Sequence, residues 1–258
     1  MEYIKFLGIG IVGGTAAGLL GIGGGTIIIP LLLYFTGMDI KAATAVSMMH
    51  ITFASISGTI FNYFQKTIIF KYSIYFGLSS MAFSFLGSYL TKYIPGPALK
   101  IIYIFALTAS FILLLLRSRI RREGGGDLSP TRKDLYRIIP VGAAAGFTAG
   151  LLGIGGGFLF VPALLFFFGM PINIATGTSL GAIIFTSIPG LAGKFLSVDF
   201  NVLFGIVVGT GGIAGAWIGT YLKRKTSPRV IRLLFILFFA AIFVRVVIDI
   251  VSYYIKIS

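Results

Sequence analysis

Two strings that share the letters GLLGIGGG stand 132 positions apart in this chain. Residues 18–30 read GLLGIGGGTIIIP, and residues 150–162 read GLLGIGGGFLFVP. At the same offset, positions 14–58 match positions 146–190 at 25 of 45 sites without a gap. The chain is therefore interpreted as two repeats of one unit, and its fold follows from that unit and the relation between the repeats.

Apolar runs surround these strings and are long enough to cross a bilayer. The chain has 258 residues, 57% hydrophobic and 11% charged, against roughly a quarter charged in soluble domains. Several apolar runs exceed the ~18 residues that indicate a membrane helix. We therefore predict an all-α polytopic protein of the cell (plasma) membrane, in contact with the lipid bilayer. The net charge of +14 comes from basic residues between the runs, which indicates membrane topology rather than binding to nucleic acid.

Each repeat divides into four apolar blocks, and the first block is unusual. As a helix, its roughly 33 residues would be about 50 Å long, too long for one crossing of a ~30 Å core and too short for two. Glycine costs about 1 kcal/mol per residue in a helix interior, so the GIGGG segment predicts a break. Each repeat is therefore predicted as a glycine-broken helix hairpin plus three transmembrane helices. In the first repeat the blocks cover about 4–36, 42–64, 68–91 and 98–117.

A basic segment separates the repeats. We predict repeats at 1–117 and 138–258, joined by a cytoplasmic linker at 118–137. A hairpin adds an even number of crossings, so each repeat crosses an odd number of times and the two repeats are inverted. With the linker inside, this arrangement places 14 Lys and Arg residues in the cytoplasm and 6 outside, as the positive-inside rule favours. Both termini are then predicted to lie outside.

The glycine breaks predict a site for an anion. A helix N-terminus presents unpaired N–H groups and the positive end of the helix dipole, and glycine lets a ligand approach the backbone closely. Two such ends, one from each repeat, are expected to face each other near the bilayer midplane, where repeat-built transporters bind their substrates. The candidate binding residues at the breaks are Gly23, Gly24, Gly25, Thr26, Gly155, Gly156 and Gly157.

Hydroxyl residues recur at matched positions just after each break. The string ATAVSMMH at 43–50 aligns with ATGTSLGA at 175–182. Its paired Thr and Ser residues lie one helical turn apart, so they share a helix face and could donate to an oxyanion. The alternative is that they bond carbonyls of their own helix. The candidate binding residues here are Thr44, Ser47, Thr176, Thr178 and Ser179.

Each repeat contains GLLGIGGGxxxxP, a short loop and then a segment like AxGTSL. This order, present twice in an apolar chain, resembles the TauE/SafE family of sulfite and organosulfonate permeases. The second repeat fits best, at 150–162 and 175–180, whereas Ala45 and Val46 stand where the family favours Gly-Thr. The resemblance implies a secondary transporter of small sulfur-containing anions such as sulfite or organosulfonates. Export is expected, because a cytoplasm-negative potential of about 100 mV drives one negative charge outward with about 2.3 kcal/mol.

Other interpretations remain open. The glycines could serve helix packing alone, and the chain could be a passive anion channel. An intramembrane enzyme acting on lipids would need paired carboxylates or a nucleophile and base, but the chain has one His, seven acidic residues and no Cys. We therefore predict no enzyme, no cofactor and no metal site. His50 is interpreted as a structural hydrogen-bonding residue with proton relay as the alternative, and Lys194 as a residue that reaches the membrane surface or attracts anions there.

Overall fold

A computed structural model describes residues 2–116, 132–231, 233, 234, 236, 237 and 240. This part of the chain is almost entirely helical and contains no strand, so the all-α prediction is confirmed. The described helices are α1 (Glu2–Leu20), α2 (Gly25–Thr36), α3 (Ile40–Phe64), α4 (Phe70–Leu90), α5 (Gly96–Leu116), α6 (Arg132–Leu152), α7 (Gly157–Phe168), α8 (Ile172–Ser197) and α9 (Val202–Lys225), with a short 3₁₀ turn at Thr91–Tyr93.

The helices have the lengths and surfaces of a membrane protein. Five described helices, α1, α3, α6, α8 and α9, are long and apolar enough to cross a membrane. Large apolar side chains such as Phe64 and Phe105 are exposed, at 73% and 72% of their surface, which suits contact with lipid rather than water. The prediction of a multi-pass membrane protein is therefore confirmed.

Helix boundaries repeat with the offset of the sequence. Helices α2, α3 and α4 begin at residues 25, 40 and 70, and α7, α8 and α9 begin at 157, 172 and 202, each 132 positions later. The first apolar block of each repeat is divided at its glycines into two helices, as predicted. Helix α6 begins at Arg132, with Asp134 in its first turn, where a carboxylate stabilises the helix dipole. The last six residues of the predicted linker are therefore helical, and 117–131 lie outside the described residues.

Each broken block is a hairpin with arms of unequal length. Helix α1 has 19 residues and α2 has 12, or about 28 and 18 Å at 1.5 Å per residue. Helix α2 folds back along α1, because the Ile28 side chain lies against Gly13 and Leu32 packs in one cluster with Phe6 and Ile9. The short arm therefore begins in the middle of the helix bundle rather than at its end.

Each hairpin packs mainly on the other repeat. Helix α1 packs on α9, and α6 packs on α4. A methyl group on Gly14 would lie 2.5 Å from the carbonyl oxygen of Gly212, so the absence of a side chain is what lets the two backbones meet. Gly10, Gly18, Gly146 and Gly150 face backbone carbonyls in the same way, and Gly142 faces the side chain of Ser79.

Several serines of helix α4 face the second repeat. Ser73 donates to the Thr178 carbonyl at 2.8 Å, Ser84 to the Thr186 carbonyl at 2.7 Å, and Ser88 to the Gly150 carbonyl at 2.9 Å. These hydroxyls are buried, and each has an acceptor within the protein, as burial requires. The polar residues of α4 therefore join the repeats instead of meeting lipid.

Equivalent helices of the two repeats run in opposite directions. Thr44, near the start of α3, accepts a hydrogen bond from Lys194, near the end of α8, at 3.0 Å. Asn62, near the end of α3, contacts Gly177 near the start of α8. Helices α3 and α8 are therefore antiparallel, which is the relation that an inverted repeat requires. The orientation of each repeat across the membrane stays a prediction.

Matched loops of the two repeats provide a test of that orientation. Lys66 follows α3, and Asp199 follows α8 one position beyond the equivalent site; both are exposed. Single cysteines at Lys66 and Asp199 are expected to be labelled from opposite sides of the membrane, Lys66 from the cytoplasm. The measurement is labelling by a membrane-impermeant maleimide in intact and opened cells. The unmodified chain has no cysteine and is the blank, and labelling of both variants from one side would contradict the inversion.

Candidate functional site

The two glycine breaks meet in the centre of the protein. A methyl group on Gly25, the first residue of α2, would lie 2.7 Å from the carbonyl oxygen of Gly153 and 2.8 Å from Cα of Ile154. A methyl group on Gly157, the first residue of α7, would lie 2.6 Å from the carbonyl oxygen of Gly21. The start of each short helix therefore lies directly against the break of the other repeat.

The backbone conformation at the breaks requires glycine, and so does the close approach of the two breaks. Gly23, Gly24, Gly155 and Gly156 have φ angles of 82°, 79°, 84° and 68°, a left-handed conformation that costs other residues roughly 1–2 kcal/mol. Gly24 and Gly156 are the residues that precede α2 and α7, and neither helix has a side-chain hydrogen bond at this end. The first N–H groups of both helices thus lack a side-chain acceptor.

Two isoleucines fill the space over the glycines. The Cδ1 atom of Ile51 would lie 2.6 Å from a methyl on Gly25, and that of Ile183 would lie 2.6 Å from a methyl on Gly157. Both side chains are fully buried, and they occupy equivalent positions near the midpoints of α3 and α8. In this conformation the two side chains cover the junction of the breaks.

Thr26 is the predicted hydroxyl that has no partner. Its Oγ1 atom is buried without a hydrogen bond among the described residues, in the first turn of α2. The Thr26 carbonyl accepts a 3.0 Å hydrogen bond from the hydroxyl of Tyr103, which ties α5 to this turn. A buried donor without an acceptor is costly, so the first break carries an unsatisfied polar group where the sequence predicted ligand binding.

The two predicted serines tie each repeat to the break of the other. Ser47 donates to the carbonyl of Gly153 at 2.7 Å, and Ser179 donates to the carbonyl of Gly21 at 2.9 Å. Both serines are fully buried. These carbonyls belong to the residues that follow α1 and α6, so each serine holds the entry of one break in place.

The predicted threonines are also bonded in this conformation. Thr44 donates to the Lys41 carbonyl at 2.7 Å and Thr176 to the Asn173 carbonyl at 3.0 Å. Both hydroxyls therefore bond carbonyls of their own helix, which was the alternative to anion binding. The Thr178 hydroxyl accepts from the N–H of Ile69 at 3.0 Å, which places it at the junction of α8 and α4. The structure thus brings Thr26 and the serines to the breaks and leaves Thr178 in a structural contact.

Negative charge is absent from the interior of the described part. Among the residues whose side chains are described, no Asp or Glu is buried. Nor do the described residues contain a group of three or more His, Cys, Asp or Glu that could hold a metal. The positive groups near the breaks are therefore the two helix starts, each equivalent to roughly half a positive charge, and the buried amines of Lys194 and Lys223.

Comparison with known proteins identifies the family. The chain matches the sulfite exporter TauE/SafE family over residues 6–246. The chain belongs to this family of membrane transporters. It is 26% identical to the probable membrane transporter protein YunE of Bacillus subtilis, over 90% of this chain and 92% of the relative. It is 31% identical to a probable membrane transporter protein of Xylella fastidiosa, over 87% and 86% of the two chains.

A plant relative carries a more specific name. The sulfite exporter TauE/SafE family protein 3 of Arabidopsis thaliana is 32% identical over 126 residues, which cover 48% of this chain and 26% of the relative. No solved structure matches the chain. The resemblance noted in the sequence is therefore confirmed at the level of the family and of membrane transport.

His50 lies beside the first break of this TauE/SafE protein. Its Nε2 atom is 3.1 Å from the carbonyl of Gly10, and its Cε1 atom would lie 3.0 Å from a methyl on Gly24. The ring is fully buried, and its Nδ1 atom has no partner among the described residues. The contact with Gly10 agrees with the structural role, and proton relay is not tested by this geometry.

The burial of two lysines was not predicted from the sequence. Lys194 was expected to reach the membrane surface or to attract anions there, and Lys223 was one of the basic residues counted on the cytoplasmic side. Their exposed fractions are 0% and 2%, and their amines donate to polar groups of both repeats. A signal was present in the sequence: at the 132-residue offset, Lys194 aligns with Asn62 and Lys223 with Thr91, so polar residues recur at both positions.

Proposed function

We propose that this TauE/SafE transporter exports small sulfur-containing anions, such as sulfite or organosulfonates, and binds them where α2 and α7 begin. The observation that carries the proposal is the meeting of these two helix starts in the buried centre, without side-chain caps. Helix N-termini bind anions through their N–H groups and dipoles. Two of them at one place favour a ligand that carries negative charge.

The sign of the charge at the helix starts suits a small anion. Each helix start is equivalent to about half a positive charge, and no buried carboxylate of the described residues opposes it. The carbonyl ends of α1 and α6 lie at the same breaks and oppose part of this charge. The unpaired hydroxyl of Thr26 adds one donor to the same turn. A monovalent oxyanion would therefore meet partial positive charge and a hydroxyl donor at this site.

The sulfur chemistry of the substrate rests on the comparisons. The matching family is described by sulfite export, and so is the Arabidopsis relative. The outward direction rests on the energetics: a cytoplasm-negative potential of about 100 mV favours exit of a monovalent anion by about 2.3 kcal/mol. Export then needs no coupling ion.

The proposal is tested by flux in proteoliposomes that contain the purified protein. We expect saturable transport of sulfite or methanesulfonate, faster when the potential drives the anion out, and slower transport of acetate. Empty liposomes are the control for leakage of sulfurous acid. Flux that rises linearly with concentration and shows no exchange with unlabelled anion would instead favour a channel, and absence of flux for every sulfur anion would overturn the proposal.

A further inference from the structure

Lys194 lies in a buried cluster beside the second break. Its amine donates to the hydroxyls of Thr44 at 3.0 Å and Thr91 at 2.7 Å, and to the carbonyl of Leu151 at 3.0 Å. Leu151 belongs to the last turn of α6, and Thr44 backbone atoms lie against Gly153. The cluster thus surrounds the point where α6 ends and the break begins.

Lys223 lies in an equivalent cluster beside the first break. Its amine donates to Oδ1 of Asn62, to the hydroxyl of Thr176 at 3.2 Å and to the carbonyl of Asn173 at 3.4 Å. Thr176 backbone atoms lie against Gly21, as Thr44 does against Gly153. Each break therefore has one buried lysine next to it.

Both lysines come from the second repeat, and they stand at the two members of one pair of matched positions. At the 132-residue offset, Asn62 of α3 corresponds to Lys194 of α8, and Thr91 corresponds to Lys223 of α9. At the second break, the lysine (Lys194) stands at the first position and neutral Thr91 at the second. At the first break, neutral Asn62 stands at the first position and the lysine (Lys223) at the second. Each cluster thus keeps one amine and one neutral polar partner, although different helices provide them.

All the acceptors around the two amines are neutral. The hydrogen-bond partners are hydroxyls, an amide oxygen and main-chain carbonyls, and no described Asp or Glu is buried. A buried positive charge is stable only when it is paired or extensively hydrogen-bonded. The clusters therefore provide hydrogen bonds without a counter-charge, which leaves each of them suited to receive an anion.

The two clusters lie toward opposite ends of the bundle. Thr44 and Asn62 are 18 residues apart on α3, or about 27 Å along the helix, and the glycine junction at Ile51 lies between them. An anion that crosses the protein through this junction therefore passes one lysine on each side of it.

We propose that Lys194 and Lys223 are anion-binding side chains on the two sides of the central site, which pair in turn with a small oxyanion on its way through. The inference rests on the proposed function and assigns two residues to it. In the predicted topology, Lys223 receives the anion from the cytoplasm and Lys194 releases it outside. Each amine exchanges neutral acceptors for anion oxygens, and charge-assisted bonds of this kind are the stronger ones.

The first test replaces each lysine by glutamine, which keeps hydrogen bonding and removes the charge. With sulfite as the probe in proteoliposomes, Lys223→Gln is expected to raise the half-saturation concentration on the cytoplasmic face roughly tenfold or more. Lys194→Gln is expected to do the same on the outer face. Lys225→Gln, an exposed lysine two residues from Lys223, is the matched control and is expected to stay within twofold of the unmodified protein.

The second test exchanges the two positions of one cluster. Asn62→Lys combined with Lys223→Thr gives the first break the arrangement that Lys194 and Thr91 have at the second. The double variant is expected to regain most of the sulfite affinity that Lys223→Thr alone loses. Recovery of the melting temperature without recovery of the half-saturation concentration would overturn the proposal, as would unchanged half-saturation in both glutamine variants.

The lysine proposal and the proposed function can fail separately. Absence of flux in the unmodified protein contradicts the proposed function, and the lysines are then judged by binding. Sulfite is expected to raise the melting temperature of the purified protein in detergent, and the two glutamine variants are expected to lose that rise while Lys225→Gln keeps it. No sulfite effect on the unmodified protein, or an equal effect on the glutamine variants, would overturn the inference.

Discussion

Replacing Gly23 by alanine is expected to reduce anion flux at least a hundredfold while the protein still folds. The added methyl would point into the central junction, 3.3 Å from the Ile51 side chain, 3.4 Å from that of Ile183 and 3.8 Å from Cα of Gly155. These neighbours give way by small side-chain shifts, so the fold tolerates the methyl. The same methyl occupies the space that an anion needs against the two helix starts.

Gly37 provides the matched control for this substitution. It ends α2 with a φ angle of 66°, close to the 82° of Gly23, so alanine costs similar backbone strain at both positions, roughly 1–2 kcal/mol. Nothing lies within 4 Å of a methyl on Gly37, and flux in Gly37→Ala is expected to stay within about twofold. The measurements are sulfite flux and the melting temperature, and full flux in Gly23→Ala would leave helix packing as the role of the glycines.

The repeat and the breaks could be predicted because they depend on local sequence. Three consecutive glycines weaken a helix locally, at about 1 kcal/mol each, and the 132-residue offset transfers each conclusion from one repeat to the other. An odd number of membrane crossings in each repeat then predicted that the two repeats are inverted, and the equivalent helices α3 and α8 run antiparallel. The unequal lengths of the hairpin arms could not be predicted, since the sequence marks the position of the break but not where α1 begins.

The partners of the buried polar groups could not be predicted because they are distant in sequence. Lys194 and Thr44 are 150 positions apart, and Ser47 and Gly153 are 106 apart. Periodicity identifies which residues share a helix face, but not which carbonyl of the other repeat lies opposite. A lysine near a helix end is expected at the membrane surface, and only packing of the two repeats buries Lys194 and Lys223.

Replacing Ser179 by alanine is expected to raise the half-saturation concentration for sulfite roughly ten- to a hundredfold. The Ser179 hydroxyl donates to the Gly21 carbonyl at 2.9 Å, and that carbonyl oxygen would lie 2.6 Å from a methyl on Gly157 at the start of α7. A carbonyl oxygen at a helix start occupies the position that an anion would take. For an anion to bind there, the carbonyl has to move away, which frees the serine hydroxyl to donate to the anion.

The size of the effect follows from that exchange of partners. A hydrogen bond to a charged group contributes about 1.5–3 kcal/mol, and each 1.4 kcal/mol is about tenfold in affinity. Thr148 is the matched control, because its hydroxyl donates at 2.7 Å to Ala144 of its own helix and Thr148→Ala should leave the half-saturation unchanged. Ser47→Ala is expected to match Ser179→Ala, since Ser47 donates to Gly153 at 2.7 Å in the same way. Unchanged half-saturation in both serine variants would remove these hydroxyls from the anion site and leave them the role of holding the breaks in place.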